Sequence, residues 1–114
     1  MNKTVVPYNP LWMNAFAQEA AALRALLSDN LPAVHHIGTT SIPGMRAKPI
    51  IDIMLEVRLL TALDQRAEAM RGLGYEVMGA YGINGRRYFR KVDQTGTRSL
   101  YVDNRHGCGV LRYR

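Results

Sequence analysis

The sequence has very little cysteine and no long hydrophobic run. Its single cysteine, Cys108, excludes an internal disulfide and any metal site built from paired cysteines. No apolar stretch approaches the roughly 20 residues that a membrane-spanning helix requires. The N-terminus also has no apolar segment of the kind found in secretory signals. We therefore expect a protein of the reducing cytoplasm that has no membrane partner.

Acidic residues are scarce as well. Nine Asp and Glu stand against fifteen Lys and Arg, which gives a formal net charge of +6, and the excess is concentrated after Gly79. A cationic last third of the chain suits an anionic partner such as a nucleotide, a phosphorylated metabolite or a nucleic acid. Charge alone favours an ordinary solvated surface. Because no aromatic RNA-binding signature accompanies the charge, nucleic acid ranks last among these partners.

Apolar residues make up 47% of the 114 residues, as expected for a globular protein. A chain of this length can bury one hydrophobic core but not two. We therefore predict a single domain over residues 1–114.

The hydrophobic pattern predicts two helices and several strands. The segment "NPLW" is typical of a helix start, with Asn9 as the cap and Pro10 in the first turn, and this helix should continue to about residue 29. A second helix is predicted over residues 61–75. The remaining apolar and β-branched runs predict a short extended segment at residues 4–8 and strands at residues 33–38 and 48–57. Two further strands, joined by a glycine-bearing turn, are predicted within residues 75–92, and a last strand at residues 97–102.

This order of elements favours an α/β (α+β) fold. Strands outnumber helices and do not alternate with them regularly, which argues against a doubly wound dinucleotide fold. We expect a mixed, largely antiparallel sheet with two helices.

The stretch "HHIGTTSIPGMRAKPIIDIML", residues 35–55, carries the main chemical signal. Gly38 permits a sharp turn and close approach of a ligand. Three residues with hydroxyl groups follow it: Thr39, Thr40 and Ser41. Hydroxyls beside backbone N–H groups can bind phosphate oxygens, and Lys48 adds a positive charge. Asp52, on the most apolar predicted strand, can ligate Mg²⁺ that arrives with a nucleotide.

The same residues also have an ordinary structural interpretation. Serine, threonine and a Pro-Gly pair are common in turns, and a lone Asp on a strand can bond to neighbouring backbone. The spacing of a Walker loop is absent. Composition and spacing alone therefore support a phosphate site and a plain loop between strands about equally.

Local spacing does not provide the acid pair of a two-metal site. Met54 occupies the position two residues after Asp52, where a second acid would share its face of the strand, and Glu56 lies about 13 Å along. Asp93 and Asp103 are the other acids at predicted strand ends. Asp52 is thus the one predicted catalytic residue and metal ligand, with Mg²⁺ as its expected cofactor, and the question of enzymatic activity stays open.

Two pairs of neighbouring residues should divide between opposite faces of the sheet, because side chains alternate along a strand. His35 and His36 cannot then meet on one metal ion. Arg86 and Arg87 alternate in the same way, so that one of them can face a phosphate group.

The segments "YNPLW", "HIGTTSIPGMRAKPIIDI", "LGYE" and "GRRYF" together resemble the GrpB family, whose members have a nucleotidyltransferase-like fold. The resemblance covers residues from about Val5 to Lys91. It implies that the turn from Gly38 to Ser41 grips nucleotide phosphates and that Asp52 binds metal. Family residues matched directly are Gly38, Thr40, Ser41, Pro43, Gly44, Lys48, Pro49, Asp52, Arg86, Arg87 and Phe89.

The resemblance also implies an alternative function. Some relatives are joined to dephospho-CoA kinase, which suggests a non-catalytic accessory that binds another protein. Like the family in general, this chain lacks the second acid of a nucleotidyltransferase pair, at Met54.

Several positions depart from the family pattern. His35 replaces a glutamate, Thr39 a serine and Ile42 a valine, while the family's His-Leu-His strand reads Ser99-Leu100-Tyr101 here. Beyond about residue 98 we therefore expect a truncated or divergent C-terminus. Missing strands would leave an unpaired sheet edge, from which we predict a homodimer.

Overall fold

The computed structural model describes residues 5–78, 86–93 and 96–104, and all of their side chains except those of residues 86, 93, 103 and 104. Helix α1 (Leu11–Leu27) begins as the sequence predicts. Pro10 has helical angles, and Oδ1 of Asn9 accepts a hydrogen bond from the N–H of Leu11 at 2.9 Å. This bond satisfies one of the N–H groups that have no partner within the helix.

Five strands form one sheet in the order β1-β2-β5-β4-β3. Their bounds are β1 (Ala33–Ile37), β2 (Ile50–Val57), β3 (Glu76–Val77), β4 (Arg86–Asp93) and β5 (Gly96–Asn104). The pair β2–β5 is parallel and the other three pairs are antiparallel, which confirms a mixed, largely antiparallel sheet. The strand β1 forms one edge, and pairing of this edge with a second copy stays a prediction.

The second predicted helix is divided into α2 (Leu60–Asp64) and α3 (Ala67–Gly72). Arg66 lies between them with non-helical angles, and the residue types at this point give no signal for the break. Short 3₁₀ turns occupy Ser28–Asn30 and Thr39–Ser41. No helix in the described part of the chain is long and apolar enough to cross a bilayer.

Alternation along the strands gives the sheet two faces. One, which we call the helix face, packs on α1–α3 and forms the hydrophobic core. Its buried strand residues are Ile51, Ile53, Leu55, Val57, Phe89, Leu100 and Val102. The residues between them, including Asp52, point to the opposite side, which we call the cleft face. Alternation along the near-continuous apolar run of β2 therefore places Asp52 on the face opposite the core.

Candidate functional site

The cleft face contains a concave region of about 580 Å³ above the middle of the sheet. Three strands, β2, β4 and β5, contribute to it, and its lining residues are Ile50, Asp52, Tyr88, Arg90, Thr97, Ser99 and Tyr101. The volume lies in the range of small-molecule sites. Polar and aromatic side chains predominate in this lining, in contrast to the aliphatic helix face.

Strand register arranges the lining in rows. Asp52 pairs with Ser99, and Ser99 pairs with Arg90, so that these three residues form one row across three strands. Neighbouring strands lie about 4.8 Å apart. The Cα atoms of Asp52 and Arg90 are therefore roughly 10 Å apart, with Ser99 between them. This spacing leaves room for an anion and a cation side by side.

The turn after β1 lies directly against the Asp52 carboxylate. Gly38 has φ +77°, and a Cβ at that position would stand 2.6 Å from Oδ2 of Asp52 and 3.3 Å from its Cβ. A side chain is therefore excluded both by the backbone angle and by the contact. The structure thus brings together the two parts of residues 35–55 on which the phosphate hypothesis depends.

Two of the three predicted hydroxyls serve the turn itself. Thr40 is only 1% exposed, and its hydroxyl donates to the carbonyl of Ile50 at 3.3 Å. Ser41 donates to the carbonyl of Gly38 at 2.5 Å. The third hydroxyl, on Thr39, belongs to an exposed residue. The turn can therefore offer a ligand Thr39 and its backbone, whereas Thr40 and Ser41 fix its shape.

Burial raises the pKa of Asp52 to about 6, from an ordinary value of 3.8. In the described part of the chain, no hydrogen bond to its carboxylate is found. The ordinary interpretation of this residue, a carboxylate occupied by neighbouring amides, is thus not supported there. A desolvated carboxylate in a cleft is a typical feature of a functional site.

The basic residues predicted to bind phosphate do not lie together in the cleft. Arg87 lies on the helix face, where Nε and Nη2 donate to the two carboxylate oxygens of Asp64 at 2.9 and 3.0 Å. This pairing raises the pKa of Arg87 further above its usual range. Lys48 is exposed and does not line the cleft, and the side chain of Arg86 lies outside the described residues. Among the described side chains, Arg90 is the cation that lines the cleft.

Sequence reasoning missed most of the cleft lining. Arg90, Ser99 and Tyr101 share the face of Asp52 only because β5 inserts between β2 and β4, and this pairing is not local in sequence. Alternation along β4 does predict that Arg90 and Arg87 point to opposite faces.

The residues fit one phosphate-borne Mg²⁺ better than a preformed metal cage. In the described residues, no three Asp, Glu, His or Cys side chains lie close enough to hold an ion. Glu56 is bound to Nε2 of His35 at 2.7 Å, and the side chains of Asp93 and Asp103 lie outside the description. Mg²⁺ commonly uses one or two carboxylates together with substrate phosphates and water. Asp52 alone can fill that role.

Comparison with known proteins gives a consistent result. The sequence model of the GrpB family, described as "GrpB protein", matches residues 2–111. The UPF0157 protein YqkA of Bacillus subtilis is 42% identical over 109 residues, which cover 96% of this chain and 32% of YqkA. The crystal structure of conserved protein GrpB from Enterococcus faecalis aligns with a TM-score of 0.87 and 37% identity, over 93% of this chain and 64% of that chain.

A shorter match involves an enzyme. Dephospho-CoA kinase of Mycobacterium leprae is 30% identical over 77 residues, which cover 62% of this chain and 19% of the kinase. The chain spans about a third of the length of YqkA and 64% of the Enterococcus protein.

Proposed function

This chain belongs to the GrpB family, and from that premise we propose that it binds a nucleotide or another phosphorylated small molecule in the cleft beside Asp52. One observation carries the proposal. The Asp52 carboxylate lies in a cleft of about 580 Å³ beneath a glycine turn, in one row with a hydroxyl and an arginine. Such a set of groups suits an anion that is accompanied by a cation.

The residues have distinct roles in this proposal. The guanidinium of Arg90 binds phosphate oxygens, because its planar donors match their geometry. The hydroxyl of Ser99 lies 3.1 Å from that of Tyr88, so it can accept the Tyr88 proton and donate its own to the ligand. Gly38 allows the phosphate to approach the backbone of the turn. Thr40 and Ser41 keep the turn in place through the hydrogen bonds described above.

Asp52 would hold a Mg²⁺ ion that is shared with the phosphates. The ion supplies positive charge between two anionic groups that would otherwise repel each other. A raised pKa is consistent with a carboxylate that lacks a cation in the free protein. The proposal covers binding in a cytoplasmic setting, where nucleotides and Mg²⁺ are available. It assigns no transfer reaction, because Asp52 has no described second acid beside it.

Thermal shift with ATP, GTP, CTP and CoA precursors, each with and without Mg²⁺, tests this function. At least one ligand should raise the melting temperature, and Mg²⁺ should increase the effect. Asp52→Asn should abolish the Mg²⁺-dependent part, whereas Asp29→Asn, the same change at an exposed site, should not. If none of the compounds stabilises the folded protein, the proposal is wrong.

The arginines supply a second matched comparison. Arg90→Gln should weaken binding of the same ligand about tenfold, since a charge-assisted hydrogen bond to phosphate is lost. Arg87→Gln removes an equal charge from the helix face and should leave the affinity within about twofold. Equal effects of the two changes would indicate that only net charge matters.

The partial match to dephospho-CoA kinase favours a second candidate, an accessory that binds that enzyme. Purified dephospho-CoA kinase should then co-elute with this chain in size-exclusion chromatography. Association that is unaffected by Asp52→Asn and by added nucleotide would support the accessory role over ligand binding. Absence of a complex at micromolar concentrations would dismiss it.

A further inference from the structure

His36 lies on the helix face of β1, on the side of the sheet opposite the cleft. Its side chain connects the Gly38–Ser41 turn to β1 and β2. In β1 it pairs with Ile53 of β2, a core residue, whereas Asp52 pairs with Ile37. Its Nε2 is 3.0 Å from Oγ1 of Thr40. The imidazole therefore contacts the turn from the side opposite the cleft and does not reach a ligand there.

The direction of these hydrogen bonds can be worked out. Thr40 has one hydroxyl proton, and it donates that proton to the carbonyl of Ile50 at 3.3 Å. The Thr40 oxygen must then accept from Nε2–H of His36. The two hydrogen bonds link His36 in β1, through Thr40 in the turn, to Ile50, the first residue of β2. They therefore join the two segments whose contact is made by Gly38 and Asp52.

The imidazole is itself fixed by a neighbour. Phe16 of α1 stacks on it with ring centroids 4.8 Å apart and planes inclined by 13°. Burial lowers the pKa of His36, so the ring is neutral at neutral pH and the Nε2–H tautomer is the one that satisfies Thr40. Phe16 thereby links helix α1 to the Gly38–Ser41 turn through the His36 ring.

We infer that His36 is a positioning residue, which holds the Gly38–Ser41 turn against Asp52 from the helix face and so shapes the cleft without contacting its contents. The inference deepens the proposed function and rests on the same site. Its test uses the protein without ligand, so that a failure of ligand binding and a failure of this inference are separate results.

Amide hydrogen exchange, followed residue by residue by NMR, tests it. The N–H groups of Ser41 and Ile42 donate to Gly38 and Thr39 within the turn, and their exchange reports its opening. His36→Leu removes the N–H donor and puts an apolar side chain in its place. Exchange at these two amides should accelerate about five- to tenfold relative to amides of the β2–β5 ladder, the effect of one lost hydrogen bond.

Conservative and control variants separate positioning from general stability. His36→Gln retains an N–H donor and should restore turn exchange to within about threefold of the original protein. His35→Leu changes the neighbouring histidine, which bonds to Glu56 on the cleft face, and should leave the turn unaffected. Equal acceleration in turn and ladder, or identical behaviour of the Leu and Gln variants, would overturn the inference.

A second position gives the same test if His36→Leu does not fold. Thr40→Val removes the hydroxyl that links His36 to Ile50 while preserving the branched shape, and Thr40→Ser retains the hydroxyl. The Val variant should open the turn selectively, and the Ser variant should not. Indistinguishable exchange in these two variants would count against the proposed chain of hydrogen bonds.

Discussion

Glu19 and Asp52, two carboxylates on opposite sides of the sheet, are held in different ways. On the helix face, Glu19 of α1 is 8% exposed. It accepts a hydrogen bond from the hydroxyl of Tyr75 at 2.5 Å and pairs with Lys91 at 2.9 Å and Arg98 at 3.1 Å. On the cleft face, Asp52 has a raised pKa and receives no hydrogen bond from the described residues.

The difference indicates a structural role for Glu19 and a carboxylate available to a ligand at Asp52. The Glu19 carboxylate is neutralised within the fold by Lys91 and Arg98, and this cluster ties α1 to β4 and β5. Asp52 loses solvation without gaining a compensating partner from the described part of the chain, which destabilises its ionised form. A fold that tolerates this penalty at a cleft has a carboxylate available for a cation or a ligand. The Glu19 cluster, a closed set of charges, and the available Asp52 carboxylate thus lie on opposite faces of one sheet, because side chains alternate along its strands.

The largest expected effect is at the closed set. Glu19→Ala leaves Lys91 and Arg98 with little solvent and without their carboxylate, so we expect a loss of about 3–5 kcal/mol in the free energy of unfolding. Urea denaturation at pH 7 measures it. Glu68→Ala, which breaks an exposed pair with Arg71, is the control and should change stability by less than about 1 kcal/mol. Similar losses for both variants would remove the distinction between the clusters.

A pair of glycines examines the contact between the turn and Asp52. Gly38 and Gly44 both have positive φ, at +77° and +82°, but a Cβ on Gly44 would meet nothing within 4 Å. Gly44→Ala should therefore reduce the free energy of unfolding by about 1 kcal/mol, from backbone strain alone, and Gly38→Ala by about 3 kcal/mol.

The double variant Gly38→Ala with Asp52→Ala sharpens this comparison. Because the obstructing carboxylate is gone, the added cost of Gly38→Ala should fall towards that of Gly44→Ala, and only the 3.3 Å contact with the Cβ of residue 52 remains. If the cost of Gly38→Ala is unchanged in the Asp52→Ala background, the turn does not rest on the carboxylate.

The pH dependence of stability examines Asp52 directly. Its folded pKa of about 6 exceeds the ordinary 3.8, so the folded protein binds this proton more tightly than the unfolded chain. The stabilising contribution is complete below about pH 4 and is lost as the pH rises through 6. Asp52→Asn should thus change little at pH 4 and raise the free energy of unfolding by about 1–3 kcal/mol at pH 7.5.

Thermal unfolding between pH 4 and 8 distinguishes the variants. The gain from Asp52→Asn should appear over the interval in which Asp52 ionises. A carboxylate that stabilises the fold when ionised would give the opposite sign, with Asp52→Asn less stable at pH 7.5.

The smallest expected effect concerns the arginines of β4. Arg87→Gln breaks a partly exposed pair with Asp64 and should lower the free energy of unfolding by about 0.5–1 kcal/mol. Arg90→Gln, on the cleft face, should change it by less than about 0.5 kcal/mol. Denaturant titration at two salt concentrations checks both, and the Arg87 effect should shrink with salt. A larger loss at Arg90 would mean that it supports the fold.

Local signals in the sequence were sufficient for much of the fold. The Asn9–Pro10 helix start, the position of β2 and the mixed sheet are confirmed, because capping chemistry and apolar runs act over a few residues. The division of the second helix at Arg66 could not be predicted, since no residue type there disfavours a helix strongly. The strands predicted within residues 75–92 are found as β3 and β4, with residues 79–85 between them outside the description.

The site was only half predictable for a related reason. Gly38 and Asp52 are neighbours through the β1–β2 hairpin, whose pairing follows chain order. Arg90 and Ser99 enter the cleft through the parallel β2–β5 pairing, which joins segments more than forty residues apart. Sequence alternation fixes which residues share a face of one strand, but it does not specify which strands are adjacent.

The most direct measurement is an NMR titration of the isotopically labelled protein with Mg²⁺ and inorganic pyrophosphate, the group common to nucleoside di- and triphosphates. We expect saturable shifts of the amide signals at Gly38, Asp52, Arg90 and Ser99, little change at Arg87 on the helix face, and loss of the Mg²⁺-dependent shifts in Asp52→Asn. Shifts confined to the helix face, or identical titrations of the original protein and Asp52→Asn, would contradict this expectation.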